Sequence, residues 1–526
     1  MLQQTKPPVA LPPAPGTVLT LPAPEQQQDN PSITFTLRRI VIHGNTLLSS
    51  AVLAPLVDDL QGHAVSLALL QQAAARITAL YYEHGYPLAY AYLPAQKIED
   101  GVLIIAVVEP RYDRIAITGK SRLAPTQARK TLGLKPGQPI TQSALNRGLL
   151  LLNQTPGITV AGTLVRGASP ASSTLDAQLT DTPIARAQVS VDDFGSAFTG
   201  RLRAQANGSL DNLFGYGSQI SASGMTTQGG LLKSIGLNGI SPDLGRGLRL
   251  GAYGSQTHYR LGDAFAALQQ HGSARQTGAD VTLPLILQPG RILQARLDVL
   301  QNRFAQRSAI SGLDDRSHAG LLRLTLNGAV ADTGGGVTSA GVMVTRGDLH
   351  FDTTDAALAD SKGPQTAGSF WIAGIQLQRT QPLPAGLQLK ADLSGQLSSK
   401  NLDGSEKSYL GGPDAVMSAP VSAAGGDESA LLRLSLSHRV LLALPGKLEV
   451  AALLQHGEVW LNHSPYAGAP VQNRLHLSGA GLGLTYQWDR RVSAQLSYVH
   501  RLGESSASNV SRFPQGEVWV GLQLNI

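Results

Sequence analysis

The C-terminal two-thirds of the chain alternate apolar and polar side chains residue by residue, and that period admits few architectures. In LQLKADLSGQL, residues 387–397, Leu387, Leu389, Ala391 and Leu393 share one face, while Gln388, Lys390, Asp392 and Ser394 share the other. In KLEVAALLQHG, residues 447–457, Leu448, Val450, Ala452 and Leu454 stand opposite Glu449, Ala451, Leu453 and Gln455. The chain closes with Val518, Val520, Leu522, Leu524 and Ile526 opposite Glu517, Trp519, Gln523 and Asn525. Period two places successive side chains on opposite faces of a strand. Such segments, separated by Gly, Asp, Asn and Pro turns, fill the last 342 residues (526 minus 184). A soluble sandwich also alternates, but these polar faces are larger and more charged than a sandwich core tolerates, and the final strand runs to the last residue. The pattern predicts an all-β transmembrane barrel with lipid outside and a polar lumen; strands of about 9 to 11 residues with their turns give roughly 16 antiparallel strands.

Composition narrows the function. No window approaches the roughly 18 unbroken apolar residues of a membrane helix. Zero cysteines exclude disulfides, thiol catalysis and cysteine-ligated metals, and suit an oxidising compartment. The net charge of +6 is scattered and forms no basic run for nucleic acid. No metalloprotease H-E-x-x-H, G-x-S-x-G elbow or P-loop occurs, so neither an enzyme nor a cofactor is expected. His456 and His463 are seven residues apart, a poor spacing for metal ligands. Trp460, Trp488, Tyr498 and Trp519, at strand ends, fit an interfacial aromatic girdle.

Upstream the pattern changes twice. Residues 1–33 hold eight prolines and a glutamine run, which favours an extended tether. From Phe35 the order β-α-α-β-β follows: RRIVIHGN as a strand, helices near residues 50–60 and 67–83, then AYAYLP and VLIIAVVE. The unit repeats, since residues 39–44 (RIVIHG) answer 114–119 (RIAITG) at an offset of 75, and Val65 and Leu70 answer Ile140 and Leu145. The expected domains are residues 34–110, 111–183 and a barrel over 184–526.

The order of tether, two such units and a barrel resembles the two-partner secretion transporters of TpsB type, whose periplasmic units are called POTRA domains. VDDFGSAFTGRLR, residues 191–203, is similar to that family's first barrel strand and turn. SLDNLFGYGS resembles its N-x-x-G-x-G-D segment, with Ser218 at the acidic position. SGQLSSKNLDGSEKSYLGGP, residues 394–413, resembles the strand leading into the sixth extracellular loop. The resemblance implies that the stretch from about 403 to 429 folds into the lumen. There a family motif close to L-G-G-x-x-x-V-R-G/A-Y places an arginine against an aspartate of the inner wall. In a narrow lumen of lowered dielectric, such a pair is stronger than at an open surface. Leu410, Gly411, Gly412, Pro413 and Val416 fit the motif, but Met417 replaces the arginine, and on the wall Gln455, two residues before Gly457, replaces the aspartate. Losing both charges together avoids an unpaired buried carboxylate. The loop is therefore expected in the lumen still, held by Gly-Gly-Pro backbone contacts and by apolar packing of Met417.

The resemblance implies transport without chemistry or ATP: an unfolded exoprotein of TpsA type, haemolysin or adhesin in kind, is captured in the periplasm and passed through the barrel. An open strand edge suits capture, because an extended chain finds main-chain partners there regardless of its sequence. Tyr90 and Tyr92 on one strand, and Val102 and Ile104 on its partner, are the candidate edge residues. The expected setting is the outer membrane, with lipid and lipopolysaccharide around a monomeric barrel and the N-terminal domains in the periplasm. The family's N-terminal plug helix is not expected within residues 1–33, which hold too much proline. An outer-membrane assembly factor of the same superfamily and a diffusion porin are the alternatives; the two-unit count speaks against the first and the repeat itself against the second.

Overall fold

A computed structural model describes residues 16–19, 34–169, 171–308, 310–440, 445–503 and 514–526. The rest of the proline-rich stretch lies outside the described residues. The chain separates into two compact units on either side of Thr182 and Pro183.

The first unit contains both repeats. In the first, β3 (Arg39–His43) pairs in parallel with β6 (Val102–Val108), and β5 (Tyr90–Tyr92) pairs antiparallel on the other side of β6. A small ladder joins β2 (Thr34–Thr36) to β4 (Ala64–Ser66). The helical stretch expected near residues 50–60 is a short α1 (Ser50–Leu53) followed by two 3₁₀ turns, with Pro55 in the first of them. The second helix, α2 (Leu67–Glu83), begins where Ser66 Oγ accepts from the amide of Leu69, a side-chain cap for one of the orphan donors of the first turn. It buries Leu70, Ala73, Ala74, Ile77 and Tyr81, an apolar stripe of helical period against the sheet. The second repeat runs β7 (Arg111–Thr118), α3 (Pro125–Leu132), α4 (Gln142–Asn153), β8 (Ile158–Arg166) and β9 (Ser172–Asp181). Leu145, Leu149 and Leu152 of α4 pack on Leu175 and Ala177 of β9 in its core.

The repeated glycine has one physical cause in both copies. Gly44 and Gly119 take φ of +90° and +87°, and a Cβ on either would collide with a carbonyl of the neighbouring strand, that of Val107 or of Leu179. Only glycine meets both demands at low cost.

The sheet of the second repeat has a fourth strand. β1 (Gly16–Leu19), from the proline-rich stretch, lies parallel to β8 in the register Gly16↔Ala161 to Leu19↔Leu164.

The second unit is a closed antiparallel barrel of 16 strands among the described residues, each hydrogen-bonded to the next, with the first (Ala185–Asp192) closing on the last (Gly516–Asn525). Exposed Leu, Val and Ile alternate along its outer face, as at Leu322, Leu324 and Leu326 or Val518, Val520 and Leu522. The strands are uneven: two reach 19 residues, beyond the expected 9 to 11. At about 3.4 Å per residue these span about 65 Å along the strand, so they project well past a hydrocarbon core about 30 Å thick.

A buried carboxylate ties the first repeat together. Glu109, just after β6, accepts from the amides of Thr46 and Leu47 at 2.8 Å each, from Tyr81 Oη at 2.7 Å and from the Thr46 hydroxyl. Burial favours its neutral form, but these donors outweigh burial and hold its pKa below the ordinary value of 4.5. A depressed carboxylate pKa contributes stability that is present above the ordinary value and is lost as pH falls below it. Amide exchange in the full chain checks this: Glu109→Gln is expected to speed exchange at Thr46 and Leu47 by about ten-fold or more, and wild-type protection there should decline below about pH 4.5.

Candidate translocation pore and strand-accepting edge

The stretch from Ser399 to Asp427 leaves the wall between the strands Leu387–Ser398 and Glu428–Val440 and folds into the lumen. Its base is anchored by charge. Asp427, fully buried, faces Lys407 Nζ at 2.7 Å and accepts from the amides of Leu402 at 3.1 Å and His463 at 2.8 Å. A two-stranded ladder then carries the loop inward, Ser408–Leu410 against Ala424–Gly426. Gly411 and Gly412, at φ of +90° and +97°, turn the chain, and the Gly412 amide reaches the Ala419 carbonyl at 2.9 Å.

The tip is held by hydrogen bonds, all but that of Arg433 made between neutral groups. The Met417 amide donates to Gln455 Oε1 at 2.7 Å, and its carbonyl accepts from Trp519 Nε1 at 2.8 Å. Ser418 Oγ donates to the Ser478 carbonyl at 3.0 Å, and Arg433 of the wall donates to the Asp414 carbonyl at 3.0 Å. Leu410, Val416 and Ala419 are buried against Val459 and Leu477. Gly457 leaves room for this, since a Cβ there would come within 2.8 Å of Leu410 and 3.1 Å of Val416.

Two expectations change here. Met417 is held by its peptide, and the apolar packing falls to Leu410, Val416 and Ala419 instead of the Met417 side chain. Trp519 is not part of the girdle: it is 2% exposed and faces the lumen, edge-on to Phe194 with ring centroids 6.0 Å apart and beneath the Arg201 guanidinium. Trp460, Trp488 and Tyr498 lie on the outward parity of their strands. The role of Trp519 was signalled by its place on the otherwise polar face of the last strand. Gln455 belongs to the strand Lys447–Trp460 and Trp519 to Gly516–Asn525, so the backbone of one loop residue, Met417, bridges two separated parts of the wall.

In the periplasmic unit the candidate edge residues divide. Tyr90 and Tyr92 lie on the edge strand β5, 39% and 44% exposed. That edge is short, and the outward amide of Ala91 is already taken by Thr78 Oγ1 at 2.9 Å. Val102 and Ile104 lie on the central strand β6, with β3 on one side, and the Gln96 amide bonds both the N–H and the carbonyl of Ile104 on the other. They form no edge. The edge that takes a strand is β8 of the second repeat, where β1 already lies.

A closed barrel with a loop seated in its lumen, preceded by α/β units with a strand-accepting edge, is the architecture of an outer-membrane polypeptide transporter. Residues 172–486 match the family described as haemolysin secretion/activation protein ShlB/FhaC/HecB, and residues 35–110 match the POTRA domain of ShlB type. The chain belongs to that family of outer-membrane transporters, not enzymes, with POTRA domains in the periplasm and exoproteins of TpsA type as cargo. It is 24% identical over 505 residues to the heme/hemopexin transporter protein HuxB of Haemophilus influenzae strain 86-028NP, covering 95% of this chain and 89% of the relative. The outer membrane transporter CdiB of Dickeya dadantii is 24% identical over 441 residues, 82% of this chain and 77% of the relative. The solved structure of CdiB from Escherichia coli superposes with a TM-score of 0.76 at 20% identity, covering 96% of this chain and 92% of that one.

Each neutral bond at the tip contributes about 1 kcal/mol, roughly a five-fold change in a two-state population. Trp519→Phe and Gln455→Leu are each expected to raise the open fraction of single channels in planar bilayers by about that factor. Met417→Arg with Gln455→Asp should quiet the channel by restoring a charged pair. Unchanged currents in all three variants would show that the tip does not gate the lumen.

Proposed function

We propose that an extended segment of the exoprotein is captured as a strand on β8 and then passes through the lumen once the loop tip leaves its seat. The observation that carries this is the parallel pairing of β1 with β8. Nine residues long, β8 accepts a strand through main-chain groups alone, and β1 covers only four of its residues. Strand addition of this kind reads the backbone and tolerates many sequences. A ladder so short is readily displaced by a longer cargo segment. The tip offers a matching low barrier, because its bonds to Gln455, Trp519 and Ser478 are all neutral. The barrel works as a single chain in outer-membrane lipid, its sheet being closed on itself.

A photo-crosslinker in place of Ala161 on β8 is expected to capture the exoprotein during secretion, with yield rising when residues 16–19 are deleted. Strong capture at Tyr90 or Tyr92 with none at position 161 would move the site to the first repeat.

A further inference from the structure

The barrel's outer face carries two adjacent arginines, set in a patch of basic side chains, that no carboxylate among the described residues balances. On four adjacent strands the outward alternation is set by exposed apolar residues: Leu250, then Val281, then Leu297 and Val299, then Leu322 and Leu324. Followed toward the cell-surface end, the same parity brings Gln256, Arg275, Arg303 and His318 to the outside. Strand register sets these directly beside one another, Gln256↔Arg275, Arg275↔Arg303 and Arg303↔His318, and the row continues to His350 on a fifth strand. Two residues higher on each strand come His258, Ser273, Ala305 and Arg316, and above those Arg260, His271, Arg307 and Asp314.

Counter-charges account for only part of this patch. Asp314 serves both Arg307 at 3.2 Å and Arg316 at 2.6 Å. Asp352 lies 2.7 Å from His318, and Asp348 lies 3.0 Å from His350. Arg346 sits over the Trp371 ring, 5.6 Å from its centroid. Among the described residues no ion pair forms at Arg260, Arg275 or Arg303. Arg275 and Arg303 are moreover directly opposite, a cross-strand arrangement in which like charges destabilise a sheet. The row lies four residues from the apolar pair Ala279↔Val299, about 10 Å up a tilted strand. The outward apolar run Leu297, Val299 ends below this row, so the row is expected at the level of the lipid headgroups.

We propose that Arg275 and Arg303, flanked by His318, His258 and Arg260, bind the phosphate groups of an outer-leaflet glycolipid. A guanidinium fork matches phosphate oxygens bidentately, and one phosphate between the two arginines turns a repulsive cross-strand pair into a bridged one. The site rests on the outer-membrane placement of the barrel but not on the route of the cargo.

The test uses the full-length protein purified in detergent, titrated with bis-phosphorylated lipid A, with the same lipid dephosphorylated, and with inorganic phosphate, and read by native mass spectrometry. The wild type is expected to retain the phosphorylated lipid, to retain the dephosphorylated lipid far less, and to lose little of the former to millimolar inorganic phosphate. Arg275→Gln with Arg303→Gln should weaken retention by about ten-fold or more, and Arg275→Lys with Arg303→Lys should recover part of it. Arg129→Gln with Lys130→Gln, on exposed positions of α3, removes two charges elsewhere and should change nothing. Heat-modified gel migration confirms that each variant barrel is folded. Equal retention by the folded double Gln variant, or displacement by inorganic phosphate as effective as by the lipid, would overturn the proposal. Because no cargo enters the assay, this outcome is independent of whether secretion proceeds through β8.

Discussion

The hydrocarbon core offers no partner to a peptide N–H or C=O, and the architecture of the second unit follows from that restriction. A sheet satisfies it only by closing, since an open edge in lipid leaves a row of bare donors and acceptors. Closure here runs from Gln188↔Asn525 to Asp192↔Gly521, and the amides of Ala187 and Ile526 extend it by bonding each other's carbonyls. Once the wall is closed, irregular backbone has to lie inside the lumen or beyond the membrane. The loop from Ser399 to Asp427 takes the first course, and its tip finds partners on the wall at Gln455, Ser478 and Trp519.

How much of this was legible depended on whether a feature was periodic. Alternation along residues 447–457 placed Gln455 on the lumen face, and the offset of 75 between the two Gly turns marked the repeat. Both signals arise from local geometry, which period and steric demand reproduce without knowledge of the fold. The helix Leu67–Glu83 was legible for the same reason, its apolar stripe having one register only. The choice of edge was not. Whether β5 or β8 accepts a strand depends on a hydroxyl from a packed helix, Thr78, and on where a four-residue piece of the proline-rich stretch lies. Neither leaves a mark in the strand's own residues.

Trp519 shows the intermediate case. Its parity pointed inward while its aromatic character pointed to a membrane interface, and the aromatic argument gave the wrong side. Parity is the stronger constraint in a barrel wall, because a single inverted side chain would need a bulge to turn it. An apolar aromatic on a lumen-facing position therefore asks for a partner inside, and here that partner is the Met417 carbonyl.

The loop is gripped unequally along its length, and the inequality defines how it can move. At the base, the fully buried Asp427 has a lysine at 2.7 Å and two backbone donors, so withdrawing any partner would strand a buried charge. At the tip every contact to Gln455, Trp519 and Ser478 is neutral, and breaking each one costs about 1 kcal/mol once water replaces it. A charged pair at the tip would be charge-assisted and about twice as strong per bond. With Met417 and Gln455 in place of that pair, release of the tip strands no charge at those two positions, and Arg433 is the one charged group that gives up a partner, the Asp414 carbonyl. The small apolar cluster of Leu410, Val416 and Ala419 with Val459 and Leu477 then becomes the main resistance to opening. Apolar contacts are short-ranged and non-directional, so this resistance falls away once the tip has moved by the width of a side chain. On the proposed route the base would stay fixed while the tip leaves its seat, and the ladder between Ser408–Leu410 and Ala424–Gly426 is the segment that joins the two.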